Sequence, residues 1–124
     1  MPAVSVVRAL RGATTVESDT VEQITERSQE LMVRIMERNG LTEDDIISVL
    51  FTATADVTST FPATAIRAIG FGAVPLLCAA EIAVPGAMPK CIRVLLHVQT
   101  ARSRDEMHHV YLHGAQVLRD DLPD

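Results

Sequence analysis

The stretch Lys90-Cys91-Ile92-Arg93-Val94-Leu95-Leu96-His97-Val98-Gln99-Thr100 decides how this chain folds. It reads as a strand, and side chains in a strand alternate between faces. Ile92, Val94, Leu96 and Val98 form an apolar face. Cys91, Arg93, Leu95, His97 and Gln99 form a mixed one. Arg93 is therefore either solvated at a sheet surface or aimed into a cleft that binds something negative. Its guanidinium is always charged and presents a rigid fork of donors suited to carboxylates and phosphates.

Working outward, the pattern alternates between strands and helices. Ser5 to Leu10 is strand-like, with Arg8 and Arg11 on opposite faces, and Arg11-Gly12-Ala13-Thr14-Thr15 suits a turn. Asp19-x-x-Glu22 and Thr20-x-x-Gln23 are capping boxes. They open a helix whose stripe is Val21, Ile24, Ser28, Leu31, Met32, Ile35 and Met36. Asn39-Gly40 stops it. Thr42 to Asp45 caps a short turn, and Ile46 to Thr54 is a second strand. Phe61-Pro62 opens a short helix through Ile69, closed by Gly70 and Gly72. Val74 to Val84 is a third strand region, and Pro85-Gly86 begins the loop before the Arg93 strand. Ser103-x-x-Glu106 caps a third helix through about Leu112, and Gly114 breaks it. Val117-Leu118-Arg119 reads as a short final strand, and residues 120–124 as an acidic tail. This order predicts an α+β fold, a mixed β-sheet with helices packed on one face. The other face, carrying Leu95, Leu77 and Val7 or Leu10, needs cover. Sister subunits would supply it, with a cleft between them as the natural place for a site.

The 124 residues suit a single domain spanning 1–124, and 48% hydrophobic residues suffice for a core. The net charge of −5 argues against general nucleic-acid binding, and 3% aromatics leave no base-stacking platform. Cys78 and Cys91 form no CxxC motif, which suits a reducing, cytoplasmic setting. No secretory leader is expected. The longest apolar run, Val74 to Ala80, is too short to cross a membrane.

Several residues bear on chemistry. Arg8, Arg11, Arg67, Arg93 and Arg119 either converge on a ligand with several carboxylates or are simply solvated. Glu81 interrupts an apolar run, so it sits at a rim or holds a specific partner. Strict alternation places Cys78 and Glu81 on opposite faces, and a joint role requires a bend between them. Cys78 is a small buried hydrophobe or, less simply, a nucleophile. His108, His109 and His113 look metal-like, and His109 and His113, four apart, share a helical face with Glu106 near, but no signature completes a zinc site. Tyr111 is a polar tip in a cleft or a surface group. No phosphate loop or nucleophile elbow is present.

Taken together, Val7-Arg8-Ala9-Leu10-Arg11-Gly12-Ala13-Thr14-Thr15, Phe61-Pro62-Ala63 with Arg67, and Val74-Pro75 with Cys78 and Glu81 resemble the trimeric α+β class of chorismate mutase. Lys90-Cys91-Ile92-Arg93-Val94, Val98-Gln99-Thr100 and His109-Val110-Tyr111-Leu112 complete a resemblance that runs nearly end to end. It implies the rearrangement of chorismate to prephenate in aromatic amino-acid biosynthesis, with no cofactor and no metal. It further implies a homotrimeric pseudo-barrel with sites at subunit interfaces. Arg93 would donate to the ether oxygen and also meet a carboxylate, Glu81 would accept from the ring hydroxyl, and Arg11 and Tyr111 would hold carboxylates. Cys78 would act near the ring hydroxyl by backbone or thiol. Phe61, Arg67, Leu118 and Arg119 would form the wall and rim. Some relatives carry a lysine after Phe-Pro-Ala where this chain has Thr64, which leaves substrate capture more to Arg67. The alternatives are a non-catalytic trimer that binds a small dicarboxylate, and a small hydrolase or deaminase using Cys78 or Glu81.

Overall fold

The computed structural model describes residues 4–121, with side chains through Leu118. Helix α1 spans Val21–Asn39, as the capping signals predict. The Thr20 hydroxyl accepts from the Gln23 amide at 3.2 Å, which satisfies a backbone donor that the first turn leaves open. Gly40 ends the helix at φ 62°, a left-handed conformation that glycine adopts without strain. Ile24, Leu31, Met32 and Ile35 are fully buried along its inner stripe. Each such side chain contributes about 1.5–3 kcal/mol by leaving water.

Five strands make one mixed sheet: β1 (Val6–Thr15), β2 (Ile46–Ala53), β3 (Leu76–Ala80), β4 (Cys91–Thr100) and β5 (Val110–Tyr111). Their spatial order is β3-β2-β4-β1-β5. The central strand β4 pairs antiparallel with β1 and with β2, while β2–β3 and β1–β5 are parallel. Ile92, Val94, Leu96 and Val98 of β4 are buried, and with Leu10, Val49 and Phe51 they form the core beneath α1 and the short helix α2 (Pro62–Ile66). Pro62 takes the first helical turn, where its missing N–H does no harm. The opposite face is open over much of its area: Val7 is 56% and Leu77 65% exposed. Its cover is local. Ala115 and Leu118, from a 3₁₀ segment at His113–Asp121, pack with Tyr111 and Met88 over Ala13 and Cys91.

Several sequence expectations are corrected here. The strand β1 does not turn at Arg11 but runs on to Thr15. Gly12 serves packing instead. A Cβ there would lie 2.8 Å from Ile35 Cδ1 and 3.0 Å from the Val110 carbonyl, so its absence lets α1 and β5 close on β1. Leu10 belongs to the helix-covered core rather than the open face. The third strand ends at Ala80, one residue before Glu81. The capping box at Ser103 and Glu106 forms but opens only one 3₁₀ turn, Arg104–Glu106, rather than a helix through Leu112. Asn39 explains the interruption. Its amide oxygen accepts from the His108 N–H at 2.7 Å, and its amide nitrogen donates to the His108 carbonyl at 2.9 Å. The chain is thereby drawn out of a helical path and into β5. His109 and His113 accordingly share no helical face. The final strand expected at Val117–Arg119 is 3₁₀ helix. Of the expected tail, Asp120 and Asp121 end that segment, and residues 122–124 lie outside the described residues.

Candidate active site

Strand register builds the site. Arg93 lies opposite Thr52 on β2 and Ala13 on β1, and Ala13 in turn lies opposite Tyr111 on β5. Residues in register share a face, so Thr52, Arg93, Ala13 and Tyr111 form a row across the open side of the sheet. Adjacent strands are about 4.8 Å apart, so Arg93 and Tyr111 start about 10 Å from each other. Between them Ala13 is buried, covered by Ala115 of the 3₁₀ segment. Arg11 stands two residues along β1 from Ala13, on the same face and opposite Leu95.

Glu81 joins this row although it has left the strand. Its amide still bonds to the Ala53 carbonyl at 3.0 Å, which holds the chain beside the end of β2. Its Oε2 accepts from the Thr52 hydroxyl at 2.7 Å and lies 3.2 Å from Arg93 Nε. The Glu81 side chain is 15% exposed and the Arg93 side chain 44%. The ion pair is therefore only partly screened and remains open to a ligand. The pair is made through Nε. Glu81 also lines a cavity of about 270 Å³ with Thr54, Asp56 and Met88. Leu118 packs with Tyr111 against the Ala13 and Cys91 cluster of the row's face. Cys91, buried next to Arg93, has its thiol pushed up to about 11 by desolvation, which keeps it a neutral wall.

Cys78 does not join Arg93 within one chain. It pairs with Phe51, and Phe51 with Val94, so its side chain lies on the helix-covered face. It lines a cleft of about 560 Å³ with Phe61, Pro62 and Ala80, and Arg93 is not among the residues that line it. Phe61, at the start of α2, is 67% exposed. Arg67 is exposed where α2 ends. Arg119 lies in the terminal 3₁₀ segment, and its side chain is outside the described residues. The candidate residues thus fall into two half-sites.

Residues 7–122 match the family model of chorismate mutase type I. The chain belongs to that family. It is 48% identical over 117 residues to the chorismate mutase AroH of Thermus thermophilus, covering 94% of this chain and 96% of that protein. It is 44% identical over 117 residues to the chorismate mutase AroH of Bacillus subtilis, covering 94% and 92%. A solved chorismate mutase from Clostridium thermocellum superposes with a TM-score of 0.87 at 48% identity, covering 89% of this chain and 98% of that one.

One residue of this chorismate mutase's Arg93 row escapes a reading of motifs. Thr52 stands in a run of β-branched and apolar residues and looks like strand filler. The signal that finds it is register, since alternation along β2 sets Ser48, Leu50 and Thr52 on the open face. The histidines, by contrast, are used locally. The Arg11 amide donates to His109 Nδ1 at 2.9 Å, and His113 Nε2 lies 2.7 Å from Glu30 Oε1. Burial first, and then the charge of Arg11, hold His109 below its ordinary pKa. Among the described residues no three His, Cys, Asp or Glu side chains cluster to hold a metal. None of the described helices is long and apolar enough to cross a membrane.

Proposed function

We propose that this chain rearranges chorismate to prephenate on the open face of its sheet, around Arg93. The observation that carries this reading is the Arg93–Glu81–Thr52 constellation. It is a fixed cation beside a fixed carboxylate, in one row with Tyr111. The reaction breaks a C–O bond and forms a C–C bond within one molecule. It needs no proton transfer and no covalent intermediate, so the protein's task is shape and charge. The substrate carries two carboxylates and must be held in a compact conformer. Arg11 and Tyr111 would hold carboxylates on the open face. As the C–O bond breaks, negative charge gathers on the ether oxygen and the ring becomes electron-poor. A terminal nitrogen of Arg93 donates to that oxygen, and the interaction grows only on approach to the transition state. Glu81 accepts from the ring hydroxyl and favours the electron-poor ring.

The active assembly in this reading is a homotrimer. The apolar residues Leu77, Val7 and Leu95 on the uncovered face support burial against neighbours. The separation of the half-sites supports it further. The cleft with Phe61 and Cys78 would meet the Arg93 row of an adjacent subunit, with Arg67, Leu118 and Arg119 at the rim. Cys78 would make a polar contact there, by backbone or thiol, with no nucleophilic role. Both cysteines are free, which fits work in a reducing cytoplasm. Incubation of the purified protein with chorismate, following its ultraviolet loss and the appearance of prephenate, tests the reading. Turnover supports it, and binding without turnover would make the site that of a dicarboxylate sensor. Sedimentation checks the trimer, and a fully active monomer would contradict shared sites.

A further inference from the structure

Lys90 immediately precedes β4 and sits at φ 49°, a left-handed conformation that residues with a side chain seldom adopt. Such a backbone persists only where its surroundings over-determine it. Here both carboxylate oxygens of Asp56 accept from the Lys90 N–H, each at 3.0 Å. The Thr54 hydroxyl donates to Asp56 Oδ1 at 2.5 Å and accepts from the Cys91 N–H at 3.0 Å. The Thr54 amide returns a bond to the Cys91 carbonyl at 3.0 Å. From the other side, Val16 N–H donates to the Lys90 carbonyl at 2.9 Å, and Lys90 Nζ donates to the Glu17 carbonyl at 3.1 Å. Residues 90 and 91 are gripped on both sides, and the loop after β2 supplies the only carboxylate among these contacts. Arg93 follows two residues later, on the same strand face as Cys91.

We propose that Asp56 is a positioning residue for the rearrangement. By holding Lys90 in its left-handed conformation, it sets where β4 begins and hence where the Arg93 guanidinium stands relative to Glu81. Asp56 lines the same cavity as Glu81. It acts at one remove, through backbone, and the inference rests on Arg93 being the cation that meets the ether oxygen. Displacing a group whose contact strengthens in the transition state lowers kcat by more than it raises KM. A glycine at position 90 keeps a positive φ without help. It should therefore make the carboxylate dispensable, which no purely stabilising role for Asp56 would predict.

The test is steady-state kinetics with chorismate on the full chain carrying Asp56→Ala, Lys90→Gly, both together, or Arg93→Ala, each checked for fold by circular dichroism. Asp56→Ala should lower kcat about ten- to a hundredfold, the scale of a misplaced catalytic group, with KM within about threefold. In the Lys90→Gly background the same substitution should cost less than about threefold. Equal losses in the two backgrounds would overturn the proposal. So would an undiminished kcat in Asp56→Ala while Arg93→Ala is inactive, and in that case the reading of Arg93 would stand. Turnover retained in Arg93→Ala would overturn both. If Asp56→Ala does not fold, Asp56→Asn keeps one acceptor oxygen and is compared in the same two backgrounds, with a smaller expected loss and the same criteria.

Discussion

Arg93 Nε and the Thr52 hydroxyl converge on one oxygen of Glu81, at 3.2 and 2.7 Å. The carboxylate fixes one edge of the guanidinium and so aims the rest of the fork. Arg93→Ala should therefore lower kcat by about 10²- to 10³-fold, the usual loss when one preorganised donor to a developing oxyanion is removed. Its side chain is 44% exposed and outside the core, so far-UV circular dichroism and oligomeric state should not change. Arg93→Lys should recover little of the loss. An ammonium on a flexible stem has no second edge for Glu81 to hold while the first serves the substrate. A lysine variant with near-normal kcat would show that charge alone, without the fork, is enough.

Thr52 makes a subtler prediction. Thr52→Val keeps the β-branched shape and removes only the hydroxyl that anchors Glu81. A hydrogen bond of this kind is worth about 0.5–1.5 kcal/mol, more when one partner is charged. The kcat/KM for chorismate should fall about three- to tenfold, with the thermal midpoint little changed. An unchanged kcat/KM would mean that Arg93 alone orients Glu81.

The two faces of β4, and the one on which Arg93 stands, were legible from strand period alone. Ile92, Val94, Leu96 and Val98 are buried, and the mixed face of β4 is the open one. Helix α1 was equally legible, because its caps and stripe are local signals. What escaped is long-range. The parity of Cys78 and Glu81 holds, yet it is Glu81 that reaches Arg93, because the Ala53 carbonyl keeps it beside β2 after the strand has ended. Gly12 looks like a turn until α1 is placed against it. The sequence around Ser103 does cap a helical turn, but the Asn39 side chain, 69 positions from the His108 backbone it binds, overrides its continuation. Local propensity cannot register such a partner.

Asp19 offers a pH test of the loop that leads to Phe61. Its carboxylate accepts from the Thr58 hydroxyl at 2.6 Å, the Thr58 amide at 2.9 Å and the Ser59 amide at 3.0 Å. These bonds, with the Thr58 hydroxyl first, lower its pKa from 3.8 to about 2. Between those values the unfolded chain binds the proton and the folded one does not, so stability rises with pH across this window. The contribution is complete above about pH 4 and is lost as pH falls through about 2. Asp19→Asn has no charge to lose. Thermal unfolding followed from pH 5 to pH 2 should find the wild type more stable at the upper end, with the gap narrowing toward acid. A gap independent of pH would show that these bonds do not favour the ionised form.

Asn39 carries the last prediction, because it joins the end of α1 to the strand that presents Tyr111. It is 1% exposed. Its side chain bonds both the N–H and the carbonyl of His108 while also donating to the Ile35 carbonyl at 2.9 Å. Asn39→Ala leaves two backbone groups of His108 without these partners in a part-buried setting. Each unmet group costs about 1–3 kcal/mol, so the variant should lose about 2–4 kcal/mol in urea unfolding. The strand β5 is only two residues long and follows directly on His109. Loosening His108 should therefore free Tyr111 before it disturbs the central pairing of β4 with β1. The kinetic mark is a raised KM for chorismate with kcat retained, since in the proposed reading Tyr111 would hold a carboxylate through ground and transition states alike. A fall in kcat at unchanged KM would place the effect at Arg93 instead, and would mean that β1, not β5, transmits it.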